Sequence, residues 1–244
     1  MRNLAKSAVK KLLKSWGYQI AHGPANRFDA MTQTLELLRG YGYRPQVIVD
    51  AGANVGDWTR MARRVFPEAV YHLIEPQHAC LTQLAALAAK VRSAHVHAVA
   101  LTCPGVKTVC MGRDDGNTGS WVAEEGTPDA VEVPATSLDE IIVTFQEDRA
   151  LLKLDLENHE IAALRGAERL LKDVEVVISE VSFYRPSWTS GQPVFADVLQ
   201  FLREHDFELY DFAALGSPLK NGRLRTGDAV FVRADSPLAQ QRYW

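Results

Sequence analysis

Cysteine is scarce in this chain: Cys80, Cys103 and Cys110 are the only three in 244 residues. An odd number with no C-x-x-C pair and no Cys/His zinc spacing excludes a disulfide framework and suits a reducing compartment. Long apolar runs are missing too. No segment approaches the roughly 18 consecutive apolar residues of a membrane-spanning helix. The N-terminal MRNLAKSAVKKLLKSWGYQI lacks the uninterrupted apolar core and small-residue cleavage site of a secretory signal. Charge of one sign is not in excess: 27 basic against 30 acidic residues leave −3, which argues against a basic nucleic-acid clamp. The 11 prolines and 16 glycines are scattered, so collagen-like and low-complexity classes are excluded. With 47% apolar residues, the expectation is a soluble, cytoplasmic globular protein with one sizeable core.

The chain divides into a short lead-in, residues 1–27, and one domain, residues 28–244. In the lead-in, Arg2, Lys6, Lys10, Lys11 and Lys14 face no acid, and at about 100° per residue they lie opposite Leu4, Val9, Leu12, Leu13 and Trp16. Such a basic amphipathic helix either docks its apolar face on the domain or lies on an anionic membrane surface. A second helix is expected over residues 28–39, stopped by Gly40, Gly42 and Pro45. From there short β-branched runs without polar alternation (47–49, 70–74, 95–101, 151–154, 174–178) alternate with helical stretches (58–66, 79–89, 161–171). That alternation predicts an α/β, Rossmann-like fold, a parallel sheet with helices on both faces. Residues 207–212 and 229–232, separated only by a Gly/Pro/Asn loop, predict an antiparallel hairpin at the sheet edge.

The sharpest local feature follows the first strand: Asp50-Ala51-Gly52-Ala53-Asn54-Val55-Gly56. Glycines there permit a tight turn and close approach of a ligand to backbone. D-x-G-x-x-x-G is neither the dinucleotide G-x-G-x-x-G nor a P-loop. A carboxylate at Asp50 repels pyrophosphate and attracts a cation, which favours a sulfonium or zwitterionic ligand; the competing role is a helix cap. The next strand ends in Glu75-Pro76, and an acid at that tip can accept both hydroxyls of a ribose. That acid is compatible with NAD or with S-adenosylmethionine, and loop and acid together favour a nucleoside ligand; the missing third glycine and Asp50 make a nicotinamide-linked NAD(P) oxidoreductase the weaker alternative.

VIVDAGANVGDWTRMARRVFP followed by YHLIEP resembles the cofactor motifs of class I methyltransferases. LLKLDLENHEIAALRGAERLL with VVISEVSF is similar to the diagnostic segment of the FkbM family. Further agreement lies in residues 99–101, 136–140 and 227–233. The resemblance implies a seven-stranded, mostly parallel sheet with an antiparallel last strand. It also implies methyl transfer from S-adenosyl-L-methionine to a hydroxyl of a sugar, glycan or other small hydroxylated natural product. By the same resemblance Asp50, Gly52, Ala53, Asn54, Val55 and Gly56 form the methionine-side loop. Glu75 and Pro76 sit at the ribose. Ala98 and Val99, at the tip of the third strand, are the expected adenine side. One departure stands out. The family's D-x-E-G is Asp155-Leu156-Glu157-Asn158 here; Asn tolerates a left-handed turn, but the change also leaves open a nucleoside-binding module without turnover.

Asp155 and Glu180 fall at the ends of the fourth and fifth strands, where ligands of open sheets sit. An aliphatic hydroxyl needs a base or a metal to become a nucleophile. Asp155, Glu157, His159 and Glu180 are the candidate catalytic groups. Alternatively, Asp155 and Glu180 hold a divalent cation such as magnesium. Lys153 shares the face of Asp155, as a partner or a catalytic group. Phe183, Tyr184 and Trp188 are the expected acceptor-binding residues, with a lid packed on the last helix as the competing role. Trp121, in a Gly/Asp/Asn-rich segment, is a second aromatic candidate.

Overall fold

In a computed structural model, residues 26–90, 93–113, 120–123, 126–144, 148–185, 191–216 and 222–240 are described. The lead-in residues 1–25, and with them the expected basic helix, lie outside the described residues, as does Trp188.

The principal sheet has seven strands: β1 (Val47–Ala51), β2 (Val70–Ile74), β3 (Ala94–His97), β8 (Ala150–Leu154), β9 (Val174–Ser182), β10 (Phe207–Leu215) and β11 (Thr226–Arg233). Their spatial order is β10-β11-β9-β8-β1-β2-β3. Neighbours from β9 through β3 pair in parallel, while β11 runs antiparallel between β9 and β10. The expected hairpin is therefore present, with β11 inserted inside the edge strand.

The central strands VIVDA and ALLKL are buried at every position, as a parallel sheet covered on both faces requires. Period-two geometry then splits their side chains. Ile48 and Leu151 join Leu35, Leu38, Tyr43, Tyr71 and Leu84 on one face. Val49 and Leu152 join Leu138, Leu164, Leu170 and Phe231 on the other. Helix α1 (Arg27–Gly40) buries Met31, Leu35 and Leu38 at helical spacing, and its N-cap Asn26 accepts from the Asp29 N–H. α2 (Asp57–Val65) and α3 (His78–Ala88) follow β1 and β2, and α4 (Leu138–Ile141) precedes β8. α5 (Glu160–Arg165) is shorter than the expected 161–171, the remainder relaxing into a 3-10 turn at Leu170–Lys172. α6 (Phe195–Glu204) and a short α7 (Pro237–Gln240) complete the fold.

The run at 95–101 is not one strand. It breaks at Ala98 and Val99. Beyond the break, β4 (Ala100–Leu101) opens a second sheet with β5 (Thr108–Arg113), β6 (Ser120–Val122) and β7 (Val131–Thr136), in the order β4-β7-β5-β6. Its strands are short, and β7 is largely exposed and carries Pro134, so they carry little of the continuous apolar signal that marks the principal sheet. Among the described residues no helix is long and apolar enough to cross a membrane.

Candidate active site

The chain leaves β1 at Ala51 and must turn sharply to enter α2. Gly52 adopts φ 79°, and a Cβ there would lie 1.9 Å from the Asp155 carbonyl oxygen. Only glycine lets the loop touch the end of β8 in this way. The N–H groups of Gly52 and Ala53 both donate to the Ile74 carbonyl at 3.0 Å, tying the loop to β2. Asn54 is also left-handed, φ 48°. Gly56 plays a different part from the one expected: at φ 87° it caps α2, and its missing Cβ accommodates Leu84 and Leu87 of α3 rather than a ligand.

Glu75 is buried at the tip of β2, where its carboxylate accepts from the Asn54 N–H and the Gln77 N–H, both at 2.9 Å. Burial raises its pKa, and those two N–H groups oppose the rise. The two bonds fix both carboxylate oxygens beside the glycine loop and leave each with acceptor capacity for a hydroxyl.

Asp50 corrects the sequence expectation. Its side chain is fully buried, and the carboxylate is taken up by the Thr59 hydroxyl at 2.5 Å and the Lys153 ammonium at 3.2 Å. Its charge therefore does not meet a bound cation directly. Lys153 also donates to the Gly52 carbonyl at 3.0 Å and lies 3.6 Å from Asp155. Burial alone would lower its pKa, but Asp50 and Asp155 more than compensate and raise it. Of the two roles open to Lys153, the geometry favours the partner that holds its acidic neighbours.

Asp155, Glu157 and Glu180 converge, with ligand-capable oxygens all within 4.8 Å of one another. Into this cluster reaches Arg27, the first residue of α1. Its guanidinium grips Asp228 of β11 in bidentate fashion, contacts Glu180 at 3.1 Å and lies 3.8 Å from Asp155. Four elements far apart in sequence thus meet at one guanidinium. For Asp155, burial pushes the pKa up, but Lys153 and Arg27 outweigh it and hold the group low. Glu180 is pushed up to about 8 by burial and by the Asp155 charge, against the pull of Arg27. The two shifts run in opposite directions, so within the pair Glu180 is the group that favours the proton. Glu157 is raised by burial and by Asp155. His159 lines the site at the start of α5. Burial lowers its pKa, and its Nε2 makes no hydrogen bond among the described residues.

Asn158 keeps the geometry expected of a glycine there, at φ 73° after Glu157 at φ 51°, and its amide oxygen accepts from the Ser182 hydroxyl at 3.0 Å. Buried Glu160 accepts from the Leu156 N–H at 2.9 Å, so this unusual double left-handed turn is held from inside.

Two adjoining cavities follow this arrangement. The larger, about 440 Å³, is lined by Glu75, Pro76, Val99, Asp155, Glu157, His159 and Glu180, among others. The smaller, about 220 Å³, is lined by Ala53, Val55, Trp58, Lys153 and Asp228. Arg27, Phe28, Gly52, Asn54 and Asp155 border both. Ala98 is exposed and lines neither, because the chain breaks away from β3 at that point. Phe183 packs against Phe195 and Phe212, and Tyr184 lies under the Arg223 guanidinium at 3.8 Å. Neither lines either of these two cavities, and Phe183 fills the packed-lid role expected as the alternative. Trp121 covers Gly112 of the second sheet and lines neither cavity.

Sequence reasoning did not single out Arg27, Phe28, Asp228, Met111 or Val122 as site residues. Asp228 had a signal, an acid inside the otherwise apolar run of β11. Met111 and Val122 had none, because the second sheet that carries them to the larger cavity was not foreseen.

An open sheet whose strand order reverses beside a glycine turn, with a buried acid on the next strand, is a Rossmann-like arrangement. The particular family follows from the sequence. Residues 50–209 match the model of the methyltransferase FkbM domain, and the chain belongs to that family of methyltransferases. No curated protein matches it. Similar solved structures include precorrin-6y C5,15-methyltransferase from Geobacter metallireducens, at 14% identity and TM-score 0.48 over 89% of this chain and 94% of that one. A second is 1,6-didemethyltoxoflavin-N1-methyltransferase from Burkholderia thailandensis, at 14% and 0.47 over 84% and 79%. A third is magnesium protoporphyrin IX methyltransferase from Synechocystis PCC 6803, at 13% and 0.45 over 93% and 99%.

Proposed function

We propose that this protein transfers a methyl group from S-adenosyl-L-methionine to a hydroxyl of a sugar, glycan or comparable small acceptor. The observation that carries the reading is the convergence of the Asp155 and Glu180 carboxyl groups on the wall of the larger cavity, with Asp155 bordering the smaller one as well. A hydroxyl acceptor must lose a proton, and an ionised carboxylate of this pair can take it.

The residues present fit the donor. Glu75 suits a ribose, and Ile74, Pro76, Val99 and Leu101 give an apolar wall for a base. Trp58 borders the smaller cavity, and its buried indole N–H has no partner among the described residues; with the positive N-terminal end of α2 it suits an amino-acid carboxylate. The donor supplies an electrophilic methyl on a cationic sulfur. Asp155 orients the acceptor hydroxyl by accepting from it, and the neutral His159 Nε2 is a second hydrogen-bonding group on the same wall. Met111, Val122 and Phe28 exclude water from the acceptor side. Transfer forms the oxygen–carbon bond and breaks the carbon–sulfur bond with its electron pair left on sulfur. The hydroxyl proton passes to the ionised Glu180 carboxylate, with Asp155 orienting the hydroxyl toward it.

The acidity of Glu180 gives a signed prediction. If the pair is the base, kcat/KM for the acceptor rises about ten-fold per pH unit below about 8 and levels off above it, since only the ionised group accepts a proton. Glu180→Gln should remove that limb. A profile flat from pH 6 to 9 in the native protein contradicts the assignment.

A magnesium ion held by Asp155 and Glu180 is a second reading, favoured by the closeness of the three carboxylates. Magnesium would supply a Lewis acid at the hydroxyl. Arg27 already contacts both carboxylates, so metal binding requires its withdrawal. Turnover abolished by a chelator and restored by magnesium would select this reading. The overall proposal is tested by labelled-methyl transfer to a panel of glycosides. Binding of S-adenosylhomocysteine without any incorporation would instead leave a nucleoside-binding module.

A further inference from the structure

The charge of the donor changes during the proposed reaction: a sulfonium cation enters and a neutral thioether leaves. Whatever sets the electrostatic potential at the junction of the two cavities therefore weighs differently on substrate and product. That junction is bordered by Arg27, Phe28, Gly52, Asn54 and Asp155. A donor with its ribose at Glu75 and its amino-acid end at Trp58 must run across it. The Arg27 guanidinium stands there already, anchored on buried Asp228 and reaching Glu180 at 3.1 Å and Asp155 at 3.8 Å. Lys153, another cation of the site, lines the smaller cavity but is committed to Asp50 and the Gly52 carbonyl.

We infer that Arg27 is a specificity-determining residue that sets how far the site prefers the cationic donor over the neutral product. Without Arg27, a cleft holding Asp155 and Asp228 would hold the sulfonium more tightly than the thioether. Arg27 cancels part of that field. It lowers affinity for the donor while leaving the uncharged product nearly unaffected, and so narrows the gap between them. Like charges a few ångströms apart in a partly solvated cleft interact by an amount that changes a binding ratio about ten-fold. The inference rests on the donor site proposed above.

The test is the ratio of dissociation constants for S-adenosylhomocysteine and S-adenosylmethionine, by calorimetry, in the native chain and in Arg27→Gln. The ratio should rise about ten-fold in Arg27→Gln, with donor binding strengthened. Arg27→Lys keeps the charge and should stay within about two-fold of the native ratio. If Arg27→Gln does not fold because Asp228 is left as an unpaired buried charge, the same comparison is made in the Asp228→Asn background. The rise should persist there. An unchanged ratio with both ligands bound overturns this inference alone and makes Arg27 a structural clamp. Failure of both ligands to bind the native chain overturns the donor site and this inference with it.

Discussion

Asp155→Asn is expected to lower kcat for methyl transfer by about 10²-fold, the order expected when the group that orients the acceptor hydroxyl toward its base is lost. Affinity for S-adenosylhomocysteine should stay within a few-fold of native. The separation follows from how the cluster is wired. Arg27 keeps Asp228 and Glu180 when Asp155 loses its charge, and Lys153 keeps Asp50 and the Gly52 carbonyl. No cation is stranded, the glycine loop keeps its anchor, and the backbone bond from the Asp155 N–H to the Ala51 carbonyl at 3.1 Å is untouched. What disappears is the one carboxylate held ionised at the junction of the cavities. Single-turnover kinetics beside a binding titration reads the two effects separately. Native turnover in Asp155→Asn would remove the residue from the chemistry.

Gly52→Ala acts on the scaffold instead. The added methyl would sit 1.9 Å from the Asp155 carbonyl oxygen, which is backbone and cannot swing aside, and φ 79° is strained for any side chain. Left-handed strain of about 1–2 kcal/mol per residue adds to overpacking of about 1–3 kcal/mol, so a loss near 3 kcal/mol is expected. For a chain of this length that is a fall in Tm of roughly 6–12 °C. Because the loop and the end of β8 must separate, donor binding should be lost even at temperatures where the fold persists. Thermal unfolding with and without S-adenosylhomocysteine checks both. A variant with native Tm and native ligand stabilisation would show that the close approach is dispensable.

The principal sheet was legible because parallel strands buried on both faces leave uninterrupted apolar runs, and those at 47–49, 151–154 and 174–178 all became central strands. Helix ends marked by Gly40 and Gly42 were equally plain. The second sheet was hidden for the opposite reason: strands such as β4, with two residues, and the half-exposed β7 alternate too weakly to be told from loop. At the site, backbone-defined features were readable, so the loop at Gly52 and the acid at Glu75 adjoin as expected. Side-chain pairings were not. The spacing that places Asp50 at a strand tip says nothing about Lys153 neutralising it. No local pattern announces that Arg27, 201 residues from Asp228, bonds it across the cleft. Aromatic density near Phe183 suggested a binding face, but Phe183 packs on Phe195 and Phe212.

The claim on which the rest depends is that a nucleoside donor lies across the turn at Gly52–Gly56 with its ribose on Glu75. Calorimetric titration of S-adenosylhomocysteine into the native chain and into Glu75→Gln tests it most directly. One equivalent should bind the native chain, and Glu75→Gln should bind about 10- to 100-fold more weakly, the cost of losing hydrogen bonds to a charged acceptor. Equal affinity in the two proteins, or no binding to the native chain, would contradict it.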